Sequence, residues 1–308
     1  MVRLLAYLLL FEALFMLAPL GVSLYYGEND YYAFVIGILA TLLASAAILT
    51  GVSGGRRDLG KREGYLLTSL VWVVFSVFGM IPFMVSASSL GLTDAFCETM
   101  SGFTTTGCSV LSDVENLSHG IHMWRCLMQW IGGLGIMIFT LAVLPMLNSS
   151  GGMQMMNAEL PGITKEKLSP RVSQTAKRLW LIYLLLTVLL AVLLCLGPMS
   201  AFDGICHALS TMSTGGFSTR NASIGAWDSW YVRLVVLLFM FIGGVNFALI
   251  YKASIGKFRT SWSDETFRTY VKVILIITSL LIFGYVVNCH PQWSANVIVD
   301  PLFQVVST

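Results

Sequence analysis

Apolar residues fill long stretches of this chain, and short segments between them hold nearly all of the charges. Uncharged windows cover 31–55, 64–93, 126–158, 179–202, 234–251 and 273–299, and the window 4–27 carries Glu12 as its only charge. Each window reaches or approaches the ~20 apolar residues that cross a bilayer as a helix. Because these runs are rich in Leu, Val, Ile and Phe without strict alternation, they favour helices over a closed barrel. We therefore predict an all-α membrane protein with seven membrane helices.

The overall composition excludes a soluble globular domain. Hydrophobic residues make up 56% of the 308 residues and charged residues only 11%, against roughly 25% charged residues in an ordinary soluble protein. The net charge is +2, which provides no basic surface for nucleic acid. The expected surrounding is a lipid bilayer.

Lys and Arg concentrate in three connections, at 52–63, 148–178 and 252–268. Because cytoplasmic loops of membrane proteins are enriched in these residues, we predict that the three connections lie inside the cell together with the N-terminus. The connections 87–118 and 199–227 and the stretch after 290 then lie outside.

The two complete outer connections match each other at an offset of 109 residues. Over 94–109, Thr104 aligns with Ser213 and six of 16 positions are identical: Asp94 and Asp203, Cys97 and Cys206, Ser101 and Ser210, Thr105 and Thr214, Gly107 and Gly216, Ser109 and Ser218. The following helices also correspond, with Ile131-Gly132-Gly133 matching Ile242-Gly243-Gly244 at an offset of 111. A third copy begins at Asp300. The chain is therefore predicted to repeat a unit of helix, outer segment and helix.

Each outer segment predicts a short helix followed by an irregular strand. Asp94 and Asp203 are suited to N-cap helices of about ten residues, roughly 15 Å long and about half the hydrocarbon thickness. Small hydroxyl and glycine residues follow, FTTTGCS at 103–109 and MSTGGFS at 212–218. Irregular backbone at that depth is tolerated where it lines a water-filled path, and a helix C-terminus at the membrane centre attracts cations.

The residue types of these strands suit a monovalent cation. Backbone carbonyls and threonine hydroxyls can replace the water shell of a dehydrated ion. Gly107 and Gly216 permit backbone angles that a side chain would penalise. Neither strand contains a carboxylate, which a divalent cation would prefer. Re-entrant turns or helix packing by small residues are the alternative explanation of either segment alone, but the pair in register favours an ion path.

The motifs resemble the Trk/Ktr family of potassium transporters, and within it the Trk-type membrane subunit. They are DAFCETMSGFTTTGCSVL at 94–111, DGICHALSTMSTGGFSTRN at 203–221, and GGMQMMNAELPG at 151–162 followed by KLSPR at 167–171. The resemblance implies four helix, pore-loop, helix units of the potassium-channel type around one pore, preceded by two extra transmembrane helices. By position, the implied K⁺ selectivity filter residues are Thr104, Thr105, Thr106 and Gly107, then Ser213, Thr214, Gly215 and Gly216.

The same resemblance implies potassium uptake across a bacterial inner membrane rather than an enzymatic reaction. K⁺ is then the transported ion, and no organic cofactor is expected on this chain. The implied partners are a second copy in a homodimer and a cytosolic nucleotide-binding regulatory subunit (TrkA-like). The loop 148–177 mixes methionines with Lys165 and Lys167, which predicts contact with that regulator or, alternatively, with the lipid surface.

The resemblance covers essentially the whole chain and divides it into five segments. These are two leading transmembrane helices at 1–62, a first repeat at 63–148, a cytoplasmic loop at 149–177, a second repeat at 178–253 and the start of a third at 254–308. Because the third strand is cut and the fourth is absent, we expect a C-terminal truncation relative to the family. Two alternatives stay open: a two-repeat cation channel that forms its pore as a dimer, and a non-conducting membrane scaffold.

Other polar residues near the strands have competing explanations. Glu98 and His207 occupy equivalent positions on the two short helices, where hydrogen bonding behind the filter is favoured over a proton or metal role. His119 and His122 have metal-ligand spacing, but without a third ligand in reach we place them at the outer interface. Arg220 follows the second strand and is able to bond its backbone or to set the potential at the mouth.

Two further features of the first repeat lie on its second helix. Arg125 is expected near the outer end of this helix, where its long stem can snorkel. The glycines over 132–135 resemble a nucleotide loop but lack a preceding strand and the GxGxxG spacing. Close helix packing is therefore the favoured explanation of these glycines.

Overall fold

The computed structural model describes residues 2–51, 61–87, 89–135, 172–254, 256, 262–289 and 296–308. They form two compact units, Met1–Trp227 and Asp228–Thr308. Within the described ranges all regular structure is helical. Most of the predicted cytoplasmic loop, including Lys165 and Lys167, lies outside these ranges.

The first unit contains nine α-helices over its described residues. They are α1 (Val2–Phe15), α2 (Leu17–Tyr26), α3 (Tyr31–Gly51), α4 (Lys61–Gly79), α5 (Ile81–Val85), α6 (Leu92–Phe103), α7 (His119–Trp130), α8 (Val172–Cys195) and α9 (Ala201–Met212), with a π-helical turn at Ile131–Gly135 and a 3₁₀ turn at Ser223–Ala226. The helix α7 packs against α2, α6 and α9. Every residue over 120–130 of α7 is buried, so α7 forms the centre of this unit.

The second unit contains α10 (Trp230–Gly244), α11 (Phe247–Ser254), α12 (Glu265–Cys289) and α13 (Asn296–Ser307). The helix α13 packs against both α10 and α12. Asp300 of α13 lies 3.6 Å from Arg233 of α10 in an ion pair.

Helices occupy most of six of the seven predicted windows, and several of these helices are interrupted, whereas the window 126–158 is described only to residue 135. Among the described residues, four segments are long and apolar enough to cross a membrane: Val2–Tyr26, Tyr31–Gly51, Lys177–Cys195 and Glu265–Asn288. The third predicted helix stops at Gly79 and resumes as α5, whose second residue is Pro82. A proline at that place is compatible with a helix start because its missing N–H would have no partner there. The helices that follow the two predicted strands break at glycine pairs, at Gly133 after α7 and at Gly244 at the end of α10.

Candidate ion pathway

The short helices predicted before the two strands are present as α6 and α9, each 12 residues long. At 1.5 Å per residue each measures ~18 Å, too short to cross the hydrocarbon core. The expectation that Asp94 and Asp203 are the N-caps is wrong. Both lie at the third helical position, where a carboxylate still interacts favourably with the positive end of the helix dipole. Ser200 caps α9 instead, because its hydroxyl accepts from Asp203 N at 3.0 Å.

Both short helices end in the same hydrogen-bonded motif. One backbone bond reaches back three residues and the next reaches back five, which defines a Schellman ending. The bonds are Thr105 N to Gly102 O at 3.0 Å, Thr106 N to Ser101 O at 2.9 Å, Thr214 N to Thr211 O at 3.0 Å and Gly215 N to Ser210 O at 2.9 Å. The two predicted strands therefore leave their helices in the same geometry.

Threonine occupies the left-handed position of each ending, where glycine is usual. Thr105 and Thr214 both have φ of 54°. A left-handed conformation costs a residue with a Cβ ~1–2 kcal/mol, and it is unusual for a β-branched one. Backbone strain of this kind clusters at functional sites. Its repetition at equivalent positions marks both strands as specialised segments.

The left-handed conformation returns two residues later in both strands. Gly107 has φ of 76° and Gly216 has φ of 86°. Such alternation of the sign of φ lets successive carbonyls share one side of the chain, as a carbonyl-lined ion path requires. A Cβ at Gly107 would collide with the carbonyl oxygen of Gly215, whereas a Cβ at Gly216 would meet none of the described atoms within 4 Å. The two strands thus lie against each other, and Gly216 is required for its backbone angle alone.

The eight predicted filter residues differ in how much they are exposed. Thr104, Thr106, Thr214 and Gly216 are exposed, Thr105 and Gly107 are half-buried, and Ser213 and Gly215 are buried. The hydroxyls of the two first-position residues are directed back to their helices. Thr104 Oγ1 donates to Met100 O at 2.7 Å, and Ser213 Oγ donates to Leu209 O at 2.9 Å.

Glu98 and His207 lie behind the two strands, as the alignment of the two repeats predicted. Ser109 Oγ donates to the Glu98 carboxylate at 3.0 Å, and His207 Nε2 lies 2.9 Å from Ser218 Oγ. In each repeat the bond joins a short-helix residue to the serine 11 positions later, just beyond the strand. The hydrogen-bonding explanation of these residues is therefore confirmed.

Arg125 does not snorkel to the surface as expected. Only 2% of its side chain is exposed, and its Nε lies 2.8 Å from Glu98 Oε1, whose side chain is fully buried. The guanidinium also donates to Ser109 Oγ and to Ser218 O, both at 3.2 Å, and its Cζ lies 4.4 Å from the centroid of the Phe217 ring. A buried guanidinium needs a carboxylate partner and further acceptors to offset its lost hydration. Arg125 obtains these by joining the ends of both strands.

His119 and His122, which were both expected at an interface, differ in exposure, because His119 is half-buried at the start of α7 and His122 is buried. His119 Nδ1 is 2.7 Å from Glu28 Oε1, and its ring stacks on Tyr26. In the part of the chain that the structure describes, no group of three or more His, Cys, Asp or Glu residues could hold a metal ion. The half-exposed Arg220 guanidinium lies 3.8 Å from Asp203 and 4.0 Å from Glu115, so it forms ion pairs with both carboxylates.

A family model for TrkH, a cation transport protein, matches residues 31–287. This chain belongs to the TrkH family. The Trk system potassium uptake proteins TrkH of Escherichia coli K12 and of Vibrio parahaemolyticus are 38% and 36% identical to it, over 95% and 99% of its length. The crystal structure of the potassium transporter TrkH from Vibrio parahaemolyticus matches with a TM-score of 0.86 and 32% identity, over 99% of this chain and 63% of that one.

These similarities confirm the predicted all-α membrane fold and the family resemblance. The chain spans 61% of the length of the Escherichia coli TrkH and 64% of the Vibrio TrkH. Both relatives are named as uptake proteins rather than as enzymes.

The sequence motifs of this TrkH-family chain do not single out Gln129, although they do single out the glycine pair after it. Gln129 is fully buried on α7, one turn below Arg125. A Cβ at Gly132 would collide with the carbonyl of Phe103, and one at Gly133 would lie 3.1 Å from Ser213 Cβ. The glycines therefore allow close approach to the ends of both short helices, which confirms the packing explanation. A polar residue inside a predicted membrane span is the signal that would have singled out Gln129.

Proposed function

We propose that this chain is the membrane subunit of a Trk-type system and takes part in potassium uptake across the bacterial inner membrane. The observation that carries the proposal is the shared backbone of the strands at 104–107 and 213–216. Both place left-handed residues at the second and fourth positions after the same helix ending. Two unrelated re-entrant turns would have no reason to agree in these details.

The ion selected is proposed to be K⁺ for two reasons. The strands offer neutral backbone and hydroxyl oxygens, which suit a monovalent cation. The similar proteins of Escherichia coli and Vibrio parahaemolyticus are named for potassium uptake. K⁺ is then cargo that passes through, and Thr104, Thr105, Thr106, Gly107, Ser213, Thr214, Gly215 and Gly216 form the part of the filter contributed by this chain.

The proposal extends to orientation and partners. The excess of Lys and Arg in alternate connections supports a cytoplasmic N-terminus. Because the relatives belong to a named Trk system, we include a cytosolic nucleotide-binding regulatory subunit and a second copy of the membrane subunit as partners.

The test is rubidium uptake in bacteria that lack their own potassium uptake systems and express the complete gene encoding this chain. The wild type should restore growth at low potassium and take up rubidium in competition with K⁺ more than with Na⁺. Gly216→Ser should weaken that preference, because its φ of 86° disfavours any Cβ. Gly225→Ser is the matched control, since a Cβ at Gly225 meets none of the described atoms within 4 Å and its φ is ordinary.

The two alternative hypotheses, a non-conducting scaffold and a pore shared between two copies, predict different results in the same assay. A non-conducting scaffold predicts no rubidium uptake by the wild type at correct membrane abundance. A pore shared between two copies predicts that co-expressed Gly216→Ser lowers the selectivity of the wild type in proportion to its abundance. If each polypeptide builds its own filter, co-expression should instead give two independent populations of transporter, one with the selectivity of the wild type and one with that of Gly216→Ser.

A further inference from the structure

The side chain of Gln129 connects the first repeat to the strand of the second repeat. Resting on the proposed potassium pathway, we infer that Gln129 is a positioning residue that determines selectivity through the second filter strand. It lies on α7, which belongs to the first repeat, and so acts across the boundary between repeats.

Three hydrogen bonds fix Gln129 against the second strand. Its Nε2 donates to Gly215 O at 2.7 Å. Its Oε1 accepts from Ser210 Oγ at 2.7 Å and from Phe217 N at 3.1 Å. The amide thus holds the short helix, the strand and the strand exit with one buried group, and each bond uses a donor or acceptor that would otherwise be buried without a partner.

Gln129 also explains why the two strands differ in sequence. The first strand reads TTTG and the second STGG, so Thr106 corresponds to Gly215. The φ of Gly215 lies outside the left-handed region, so its backbone does not require glycine. A Cβ at Gly215 would collide with Gln129 Cδ and Oε1. Glycine is therefore present at this position to admit the amide.

The first strand lacks the same support among the described residues. Ser101, the counterpart of Ser210, is buried, and its hydroxyl makes no hydrogen bond within the described part of the chain. At the offset of 111 residues, Gln129 corresponds to Met240, which cannot donate to a carbonyl. Gln129 is therefore a feature of the junction between the first and the second repeat.

Losing the amide should change which ion the strand accepts. Without the donor, the Gly215 carbonyl has no partner behind the strand, and the Phe217 N–H is left unsatisfied. The strand would then turn these groups toward other partners, which moves carbonyls that surround the ion. Discrimination between ions should respond more than the amount of folded protein.

The experiment compares Gln129→Leu and Gln129→Met with Thr187→Val in the complete gene product. Neither leucine nor methionine can donate to Gly215 O, and both keep an apolar side chain of similar size at this buried position. Thr187→Val is the matched control, because it removes a buried hydrogen bond of 3.0 Å between α7 and α8 away from the strands. We measure K⁺ against Na⁺ competition for rubidium uptake, together with thermal unfolding of the purified protein.

Both Gln129 variants should lose about tenfold in K⁺ over Na⁺ discrimination, the factor that corresponds to ~1.4 kcal/mol. Thr187→Val should lower thermal stability and keep the discrimination of the wild type. The inference is overturned when the wild type discriminates and both Gln129 variants discriminate equally well. A wild type without uptake refutes the proposed function itself, which is a separate result.

A double-mutant cycle provides the second measurement and includes a variant that leaves Gln129 intact. Gly215→Ala should reduce discrimination because its methyl group collides with the amide. A Gln129→Gly background removes all three of the atoms nearest to such a methyl group, so the added effect of Gly215→Ala should be much smaller there. Equal effects of Gly215→Ala in both backgrounds would contradict a direct contact. Ser210→Ala removes a single bond and should give an intermediate loss of discrimination.

Discussion

The strands at 104–107 and 213–216 have matching backbone conformations, but different chemistry supports them. Behind the first strand lies the buried ion pair of Glu98 and Arg125. Behind the second, Gln129 is bonded to the strand itself and His207 to Ser218, and the Arg125 guanidinium reaches only the exit of this strand, at Ser218 O. The comparison shows that a repeated backbone shape does not require repeated supporting residues. The shape follows from threonine and glycine within each strand, whereas the support depends on which helix happens to pack behind it.

The helix that follows each strand is broken at a glycine pair, and these two breaks differ from the strands in one respect. The same type of residue, a tyrosine, supports both breaks. After α7, the Tyr183 hydroxyl donates to Trp130 O at 3.1 Å, and the two rings stack with centroids 5.4 Å apart. A Cβ at Gly133 would lie 2.9 Å from that hydroxyl. The tyrosine belongs to α8, the first helix of the next repeat.

The second unit contains an equivalent arrangement at Gly244. The Tyr270 hydroxyl of α12 donates to Phe241 O at 3.4 Å, and the rings stack with centroids 5.3 Å apart. Trp130 and Phe241 correspond at the offset of 111, but Tyr183 and Tyr270 are 87 residues apart. A helix break in the membrane frees carbonyls that need new donors, and tyrosine provides one in both repeats.

The largest expected effect comes from breaking the charged support of the first strand. Arg125→Gln leaves the Glu98 carboxylate buried without its cation, which should cost ~3–5 kcal/mol of folding free energy. The double variant Glu98→Gln with Arg125→Gln should recover a large part of that loss. Thermal unfolding and membrane abundance measure both. Wild-type stability of the single Arg125→Gln variant would show that the pair is not the principal support.

A matched pair of serines sharpens the comparison between strands. Ser109→Ala removes hydrogen bonds to a carboxylate and a guanidinium, for which ~1.5–3 kcal/mol is typical, whereas Ser218→Ala removes bonds to neutral groups at ~0.5–1.5 kcal/mol. Because the two serines correspond in the repeat, chemical denaturation of both variants compares the two supports directly. An equal or larger loss for Ser218→Ala would contradict the charged character of the first support.

The two tyrosines should give smaller effects of unequal size. Tyr183→Phe and Tyr270→Phe keep the stacked rings and remove one neutral hydrogen bond each, at ~0.5–1.5 kcal/mol. We expect the larger loss for Tyr183, which is buried and forms the shorter bond, than for the half-buried Tyr270. Thermal unfolding of the two variants tests the order, and the reverse order would show that burial does not govern this contact.

The sequence predicts the features that arise locally and fails for those that arise from packing. The internal repeat located both short helices, both strands and the glycine pairs, because their residue types determine backbone conformation directly. The burial of Arg125 and the role of Gln129 depend on which helix lies behind which strand. The predicted N-cap of α9 was wrong for a local reason, since Ser200 precedes Asp203 by three residues and competes for the same position, whereas α6 follows Gly91 without a side-chain cap.

The smallest expected effect concerns the contact between the connections 87–118 and 199–227. Asn221 Nδ2 donates to Asp113 Oδ1 at 2.8 Å, and Val114 N donates to Asn221 Oδ1 at 2.9 Å. The hydrogen bond from Asn221, followed by that from the Glu115 backbone, lowers the pKa of the Asp113 carboxyl.

Because the folded-state pKa of Asp113 lies below its unfolded value, this contact stabilises the fold above the ordinary pKa of aspartate. The contribution disappears as the pH falls through the lowered pKa. Asn221→Ala removes the main cause of the shift and should flatten the acid side of the stability profile slightly. Thermal unfolding of wild type and variant between pH 7 and ~3 measures the difference. Since Asp113 is fully exposed, water screens the contact, so a large change in the profile would point to a different acidic group.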